Sequence, residues 1–187
     1  MKTFLAAAAI AAAACARPTV QMPPSPSPTT PAPRAAVSPG RTATAIMHDL
    51  TGGAVGTATF TDTYSGVLVD AVVSNIGLGA HGVHIHAVGK CEPPFTTAGG
   101  HFNPEGKRHG FMNPNGPHLG DLPNITTPAA GQLHFEFLLP GVSLTGTNAL
   151  LDGDGASIVI HSGRDDLESD PAGNSGSRIA CGVITLR

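Results

Sequence analysis

From residue 42 onward the chain alternates. Ala45 and Met47 fall between Thr44, Ile46 and His48, a period of two that sends successive side chains to opposite faces of a strand. Residues 54–61 and 66–74 are rich in Val, Thr and Ala, with Gly52-Gly53 and Tyr64-Ser65-Gly66 as turns between the runs. Further strands are expected at 82–88, at 132–139 (where Leu133, Phe135 and Phe137 alternate), at 156–161 and at 179–186. The sequence at 151–155 reads as a hairpin turn. It lacks the further ligands of a calcium loop. Two long polar stretches, 89–127 and 162–177, interrupt the pattern. Loops of that length are usually functional and need a rigid scaffold. The expectation is an all-β domain of roughly eight strands, an antiparallel Greek-key flattened barrel or sandwich with two long functional loops and no helix.

Residues 1–41 have another texture. Lys2 precedes an apolar run, 5–14, too short to span a bilayer. Small residues follow, as a cleavable signal segment over 1–15 requires. The run closes on Ala12-Ala13-Ala14-Cys15, which resembles a bacterial lipoprotein box, with Ala12 where Leu is usual. Two outcomes stay open at Cys15: lipidation with membrane attachment, or simple cleavage. Residues 16–41 then form a linker. Pro23-Pro24-Ser25-Pro26-Ser27-Pro28 and Pro31-Ala32-Pro33 favour extended polyproline II and act as a spacer. The domain proper is 42–187. The protein is expected to be exported to the periplasm or cell envelope.

Composition narrows the class. Charged residues make up only 12%, while Gly (24) and Pro (17) are abundant, which favours turns and short strands over long helices. The net charge of −3 is mild and no basic patch stands out, so nucleic acid is excluded as a partner. There are three cysteines. With Cys15 removed or lipidated, Cys91 and Cys181 are left, and an oxidising compartment lets such a pair bond.

The nine histidines change the picture most. His84 and His86, two apart on a strand, share one face. The first long loop adds His101, His109, His118 and Asp121. Three imidazoles and a carboxylate suit a tetrahedral zinc ion. His161 ends a later strand. With His84, His86 and one shared histidine it would make an all-nitrogen site, which suits copper(II).

Four segments in order resemble the copper/zinc superoxide dismutase family. They are His81-Gly82-Val83-His84-Ile85-His86, Gly99-Gly100-His101-Phe102-Asn103-Pro104, Pro117-His118-Leu119-Gly120-Asp121-Leu122, and Gly176-Ser177-Arg178-Ile179-Ala180-Cys181-Gly182-Val183-Ile184. Cys91-Glu92-Pro93 and Ser169-Asp170-Pro171-Ala172-Gly173-Asn174 resemble its bacterial branch. The resemblance implies copper on His84, His86, His101 and His161, and zinc on His101, His109, His118 and Asp121. His101 would bridge the two metals and carry a proton to the product. Asp165 would link a copper histidine to a zinc histidine. Cys91 and Cys181 would form the family disulfide, and Arg178 would stand at the copper mouth facing an anionic substrate, superoxide. Lys107, Arg108 and Arg164 are further cations near these segments. Pro171 stands where many eukaryotic relatives carry a steering Lys. His81 is expected to hydrogen-bond near its strand, and His48 and His134 to lie on the surface. Asn124-Ile125-Thr126 forms a glycosylation triplet. Bacterial relatives occur as monomers or homodimers. A metal-storing module would be expected to have lost a ligand or the Arg. A zinc hydrolase has no HExxH motif to support it.

Overall fold

The computed structural model describes residues 40–129 and 131–187. The signal-like segment with Cys15, and the linker up to residue 39, lie outside the described residues.

The first three strands are β1 (Thr42–Asp49), β2 (Ala54–Thr63) and β3 (Gly66–Ser74). They follow one another in an antiparallel meander. β4 (Gly79–His81), β5 (Val83–His86), β6 (Ile125–Thr127), β7 (Gln132–Pro140), β8 (Ser157–His161), β9 (Arg178–Val183) and β10 (Thr185–Leu186) complete the set. The main sheet runs β5-β8-β9-β1-β2-β3-β7, with β10 pairing β1, and β4 pairs β6 in a small second sheet. All named pairs are antiparallel. β4 leads through Gly82 into β5, and β6 leads to β7, the two end strands of the main sheet. The non-sequential neighbours β5–β8, β9–β1 and β3–β7 are the long connections of the expected Greek key.

The alternation read in the sequence decides which side is core. Ala43, Ala45 and Met47 of β1 are buried, as are Ala58 and Phe60 of β2 and Val67, Val69, Ala71 and Val73 of β3. Each fully buried Val, Ile or Phe contributes about 1.5–3 kcal/mol. Ile46 and His48 face outward. So does His134, as expected.

β5 and β8 depart from this one-sided pattern, being buried at every position. Val83, Ile85, Ile158 and Ile160 join the core cluster. The opposite faces carry His84, His86, Val159 and His161, and lie beneath the long loops. Polar side chains are tolerated at such depth only with partners.

The expected strand at 82–88 is shortened to β5, with the unexpected β4 just ahead of it, and the one at 179–186 is divided into β9 and β10. The first long loop ends earlier than expected, because Ile125–Thr127 pairs with β4. The alternation there is too short to be legible. The helical content among the described residues is one three-residue 3₁₀ turn, Thr96–Ala98.

Candidate metal centre

The first long loop is shaped by its hydrogen bonds to β5. Ile85 N–H donates to Gly120 O (2.8 Å), Phe102 N–H to Ile85 O (2.8 Å), and Gly120 N–H to Phe102 O (2.9 Å). Two loop passes therefore line up along the edge of β5 that β8 does not occupy. They form bridges in which His101 stands opposite His86 and Asp121 opposite His84. Four residues separated by up to 37 positions meet because the backbone pairs.

Each imidazole is then oriented by one ring nitrogen. His86 Nδ1 lies 2.9 Å from Gly99 O, His161 Nδ1 3.3 Å from Gly176 O, and His84 Nε2 2.8 Å from Asp165 Oδ2. His101 Nδ1 lies 2.8 Å from Asp121 Oδ1. The remaining nitrogens, His84 Nδ1, His86 Nε2, His101 Nε2 and His161 Nε2, are buried with no hydrogen-bond partner among the described residues. The four residues offer donor atoms within 4.8 Å of one another. Four orphaned lone pairs in one place are costly unless a cation takes them. Burial lowers the proton affinity of all four rings: His84 downward, His86 to about 2, His161 to about 3 and His101 to about 4. They are neutral near pH 7, the form that binds a metal. The all-nitrogen set fits copper.

The second group centres on Asp121. Its Oδ2 accepts the backbone N–H groups of Gly110 (2.9 Å) and His118 (3.0 Å), which fixes the carboxylate. Its Oδ1 faces His101 Nδ1 at 2.8 Å, His109 Nδ1 at 3.1 Å and His118 Nδ1 at 3.3 Å. His101 Nδ1 and His118 Nδ1 are 3.4 Å apart. Ligands around a tetrahedral zinc ion at 2.0–2.1 Å would lie about 3.3 Å from one another, so the set fits zinc. His84 also comes within 4.8 Å of His101, His109 and Asp121, but its Nε2 is held by Asp165, whereas His118 Nδ1 points into the group. His101 thus belongs to both groups, Nδ1 to one and Nε2 to the other.

Asp165 ties the groups together a second time. Its Oδ2 meets His84 Nε2 at 2.8 Å and its Oδ1 meets His109 Nε2 at 3.0 Å. Burial alone would raise the carboxyl groups of Asp165 and Asp121. Hydrogen bonds from the histidines outweigh it and hold both well below the usual carboxylate range. Burial opposes charge on His109 too, but Asp121 and Asp165 together push it up to about 9.

Asn124 has a role that its glycosylation triplet hides. Its Nδ2 donates to Asp165 O and its Oδ1 accepts Asp165 N–H, both at 2.8 Å, pinning the second loop to the first. The one signal in the sequence is its place three after Asp121. His81 Nδ1 lies 2.8 Å from the backbone oxygen of His161, in line with its expected place beside the strand.

Arg178 donates from Nη1 to Phe95 O and from Nη2 to Gly99 O, each at 2.6 Å. Phe95 holds an uncommon φ of 71° with its ring buried. Arg178, His86, His101 and His161 line a cavity of about 230 Å³, with Pro171 and Ala172 from the second loop. Two of the other cations are paired: Lys107 with Glu105 at 2.9 Å and Arg108 with Asp170 at 2.9 Å. Cys91 and Cys181 are joined in a disulfide that closes a separation of 90 residues and packs with Phe95, Ala98 and Val159.

Comparison with known proteins agrees with this geometry. A family model described as copper/zinc superoxide dismutase matches residues 54–184. "Superoxide dismutase [Cu-Zn] 1" of Aquifex aeolicus is 49% identical over 137 residues, covering 71% of this chain and 81% of that protein. Among solved structures, a SOD-like protein from Bacillus subtilis superposes with a TM-score of 0.73 at 36% identity, covering 78% of this chain and 99% of that one. The Cu/Zn superoxide dismutase from Brucella abortus superposes at 0.61 and 28%, covering 76% and 98%. The family match spans most of the chain and includes every residue of both donor groups, so this chain belongs to the copper/zinc superoxide dismutase family.

Proposed function

We propose that the chain disproportionates superoxide to oxygen and hydrogen peroxide, with His84, His86, His101 and His161 holding copper and His101, His109, His118 and Asp121 holding zinc. The observation that carries this reading is the double membership of His101, whose two ring nitrogens face two different donor groups. Copper, when bound, supplies one-electron exchange with superoxide in both directions, which zinc cannot do.

The chain's own residues supply the rest. Arg178 presents a permanent positive charge to the cavity and draws in an anion although the net charge is −3. Its two bonds to backbone carbonyls fix where that charge sits. Two superoxide anions and two protons give one oxygen and one peroxide. His101 would carry a proton on Nε2 only while that nitrogen is not bound to copper, and would then deliver it to the peroxide. Asp121 and Asp165 keep the imidazoles oriented from behind.

The disulfide and the N-terminal sequence together support a reading of the site of action. A 90-residue disulfide belongs in an oxidising compartment. With the signal-like segment ahead of it, this supports an exported enzyme that removes superoxide in the periplasm or cell envelope, tethered or free according to the fate of Cys15.

Metal stoichiometry of the full chain tests the assignment. The parent should take up one copper and one zinc, and His101→Ala should weaken both. Loss of one metal alone, with the other held as tightly as before, would contradict the shared histidine.

A further inference from the structure

Asp170 serves two partners. Its Oδ1 accepts the backbone N–H of His109 at 2.7 Å, and its Oδ2 accepts Arg108 Nη1 at 2.9 Å. The first bond fixes the backbone of a zinc-group residue from the opposite loop, and it needs an acceptor at that point. The carboxylate that supplies the acceptor also brings a negative charge. Asp170 directly precedes Pro171 and Ala172, which line the cavity with Arg178. A negative charge there opposes the capture of an anion.

The neighbourhood makes this charge matter. Asp166 and Glu168, on the same loop, take part in no ion pair among the described residues. Lys107 is already matched by Glu105. Arg108 is mostly exposed, at 65%, and Asp170 partly, at 35%. Such a pair adds little to stability. Its field at the cavity still acts within about one Debye length, roughly 10 Å at 0.1 M salt.

We propose that Arg108 cancels the charge of Asp170, so that the carboxylate can hold the His109 backbone without repelling an anionic substrate from the cavity. Arg108 acts through Asp170 and touches neither metal group with its side chain. The inference rests on the dismutase reading for its substrate, but the same electrostatics govern any small anion.

Two readouts on the full copper- and zinc-loaded chain test it: the second-order rate with superoxide against NaCl concentration, and the affinity for azide by optical titration. The variants are Arg108→Gln, Asp170→Asn and the double variant. The Asn keeps an oxygen acceptor for the His109 N–H while losing the charge. Arg108→Gln should slow superoxide capture and weaken azide by roughly two- to fivefold at low salt, with the gap closing as salt rises. Asp170→Asn should be as fast as the parent or faster, and the double variant should return to parent values. Zinc and copper contents should stay unchanged throughout. Parent-like behaviour of Arg108→Gln at every salt concentration would overturn the proposal. So would a salt-independent loss accompanied by zinc release, or a double variant as impaired as Arg108→Gln. A parent that binds both metals yet leaves superoxide untouched would count against the dismutase reading, and the azide series would still decide the role of Arg108.

Discussion

His101 stands opposite His86 in an antiparallel bridge between the first long loop and β5. The backbone thus does what spacing in sequence cannot: it brings a loop histidine to a strand histidine at a fixed height. Their open ring nitrogens, both Nε2, are buried without partners among the described residues. The bridge also turns His101 Nδ1 toward Asp121 on the neighbouring loop pass.

Asp165 connects the two groups from behind, through His84 on one oxygen and His109 on the other. Asp165→Ala should lower zinc affinity about 10–100-fold, the usual effect of removing a carboxylate that orients a ligating histidine. Competition with a chromophoric chelator reads this directly. Unchanged zinc affinity would mean that the carboxylate does not orient the zinc histidine.

Gly173 has φ 60°, and a Cβ built there would collide with the Asp165 carboxylate and come within 2.7 Å of His109 Nε2. Gly173→Ala should therefore displace Asp165, release zinc more readily, and destabilise the fold by about 1–3 kcal/mol. Gly153, with nothing within 4 Å of its built Cβ, provides the control. Thermal melting of the two alanine variants should separate them clearly.

Much of this was legible in the sequence because strands announce themselves by alternation. Ala45 and Met47 faced inward as their pattern required. The ligand candidates were legible because His84 and His86 share a face and the loop histidines cluster. What the sequence hid was partnership. Arg108 reads as a solvated cation until the fold brings Asp170, 62 positions away, to its guanidinium. Asn124 reads as a triplet until its side chain meets the backbone of Asp165. β6 escaped notice because three residues are too few to show a period. Such contacts are made between loops, where no periodic pattern encodes the partner.

The disulfide closes 90 residues. In the chain-entropy model a loop of that length restrains the unfolded chain enough to contribute about 4–5 kcal/mol. Reduction, or Cys181→Ser, should lower the denaturant midpoint accordingly. The first loop should loosen with it, because Cys91 anchors that loop to β9. Equal midpoints with and without reductant would contradict this.

Asp166 is held at about 2 by the backbone N–H groups of Ser169 and Glu168, with help from Asn174. Its pKa is lowered on folding from the ordinary 3.8. The stabilisation is therefore fully present above pH 4 and is lost as pH falls through 2. Carboxyl-carbon NMR should show its midpoint near 2 in the folded chain. Asp166→Asn should be less stable than the parent at pH 6 and approach it at pH 2. A midpoint near 4 would remove the basis for this turn.

The rate of superoxide disappearance is the decisive measurement of activity. It should be measured on the full chain loaded with copper and zinc, against the same chain loaded with zinc alone. Disproportionation should be fast with copper and zinc, and no faster than the uncatalysed rate with zinc only. A chain shown to hold both metals that leaves superoxide to decay at its uncatalysed rate would contradict it.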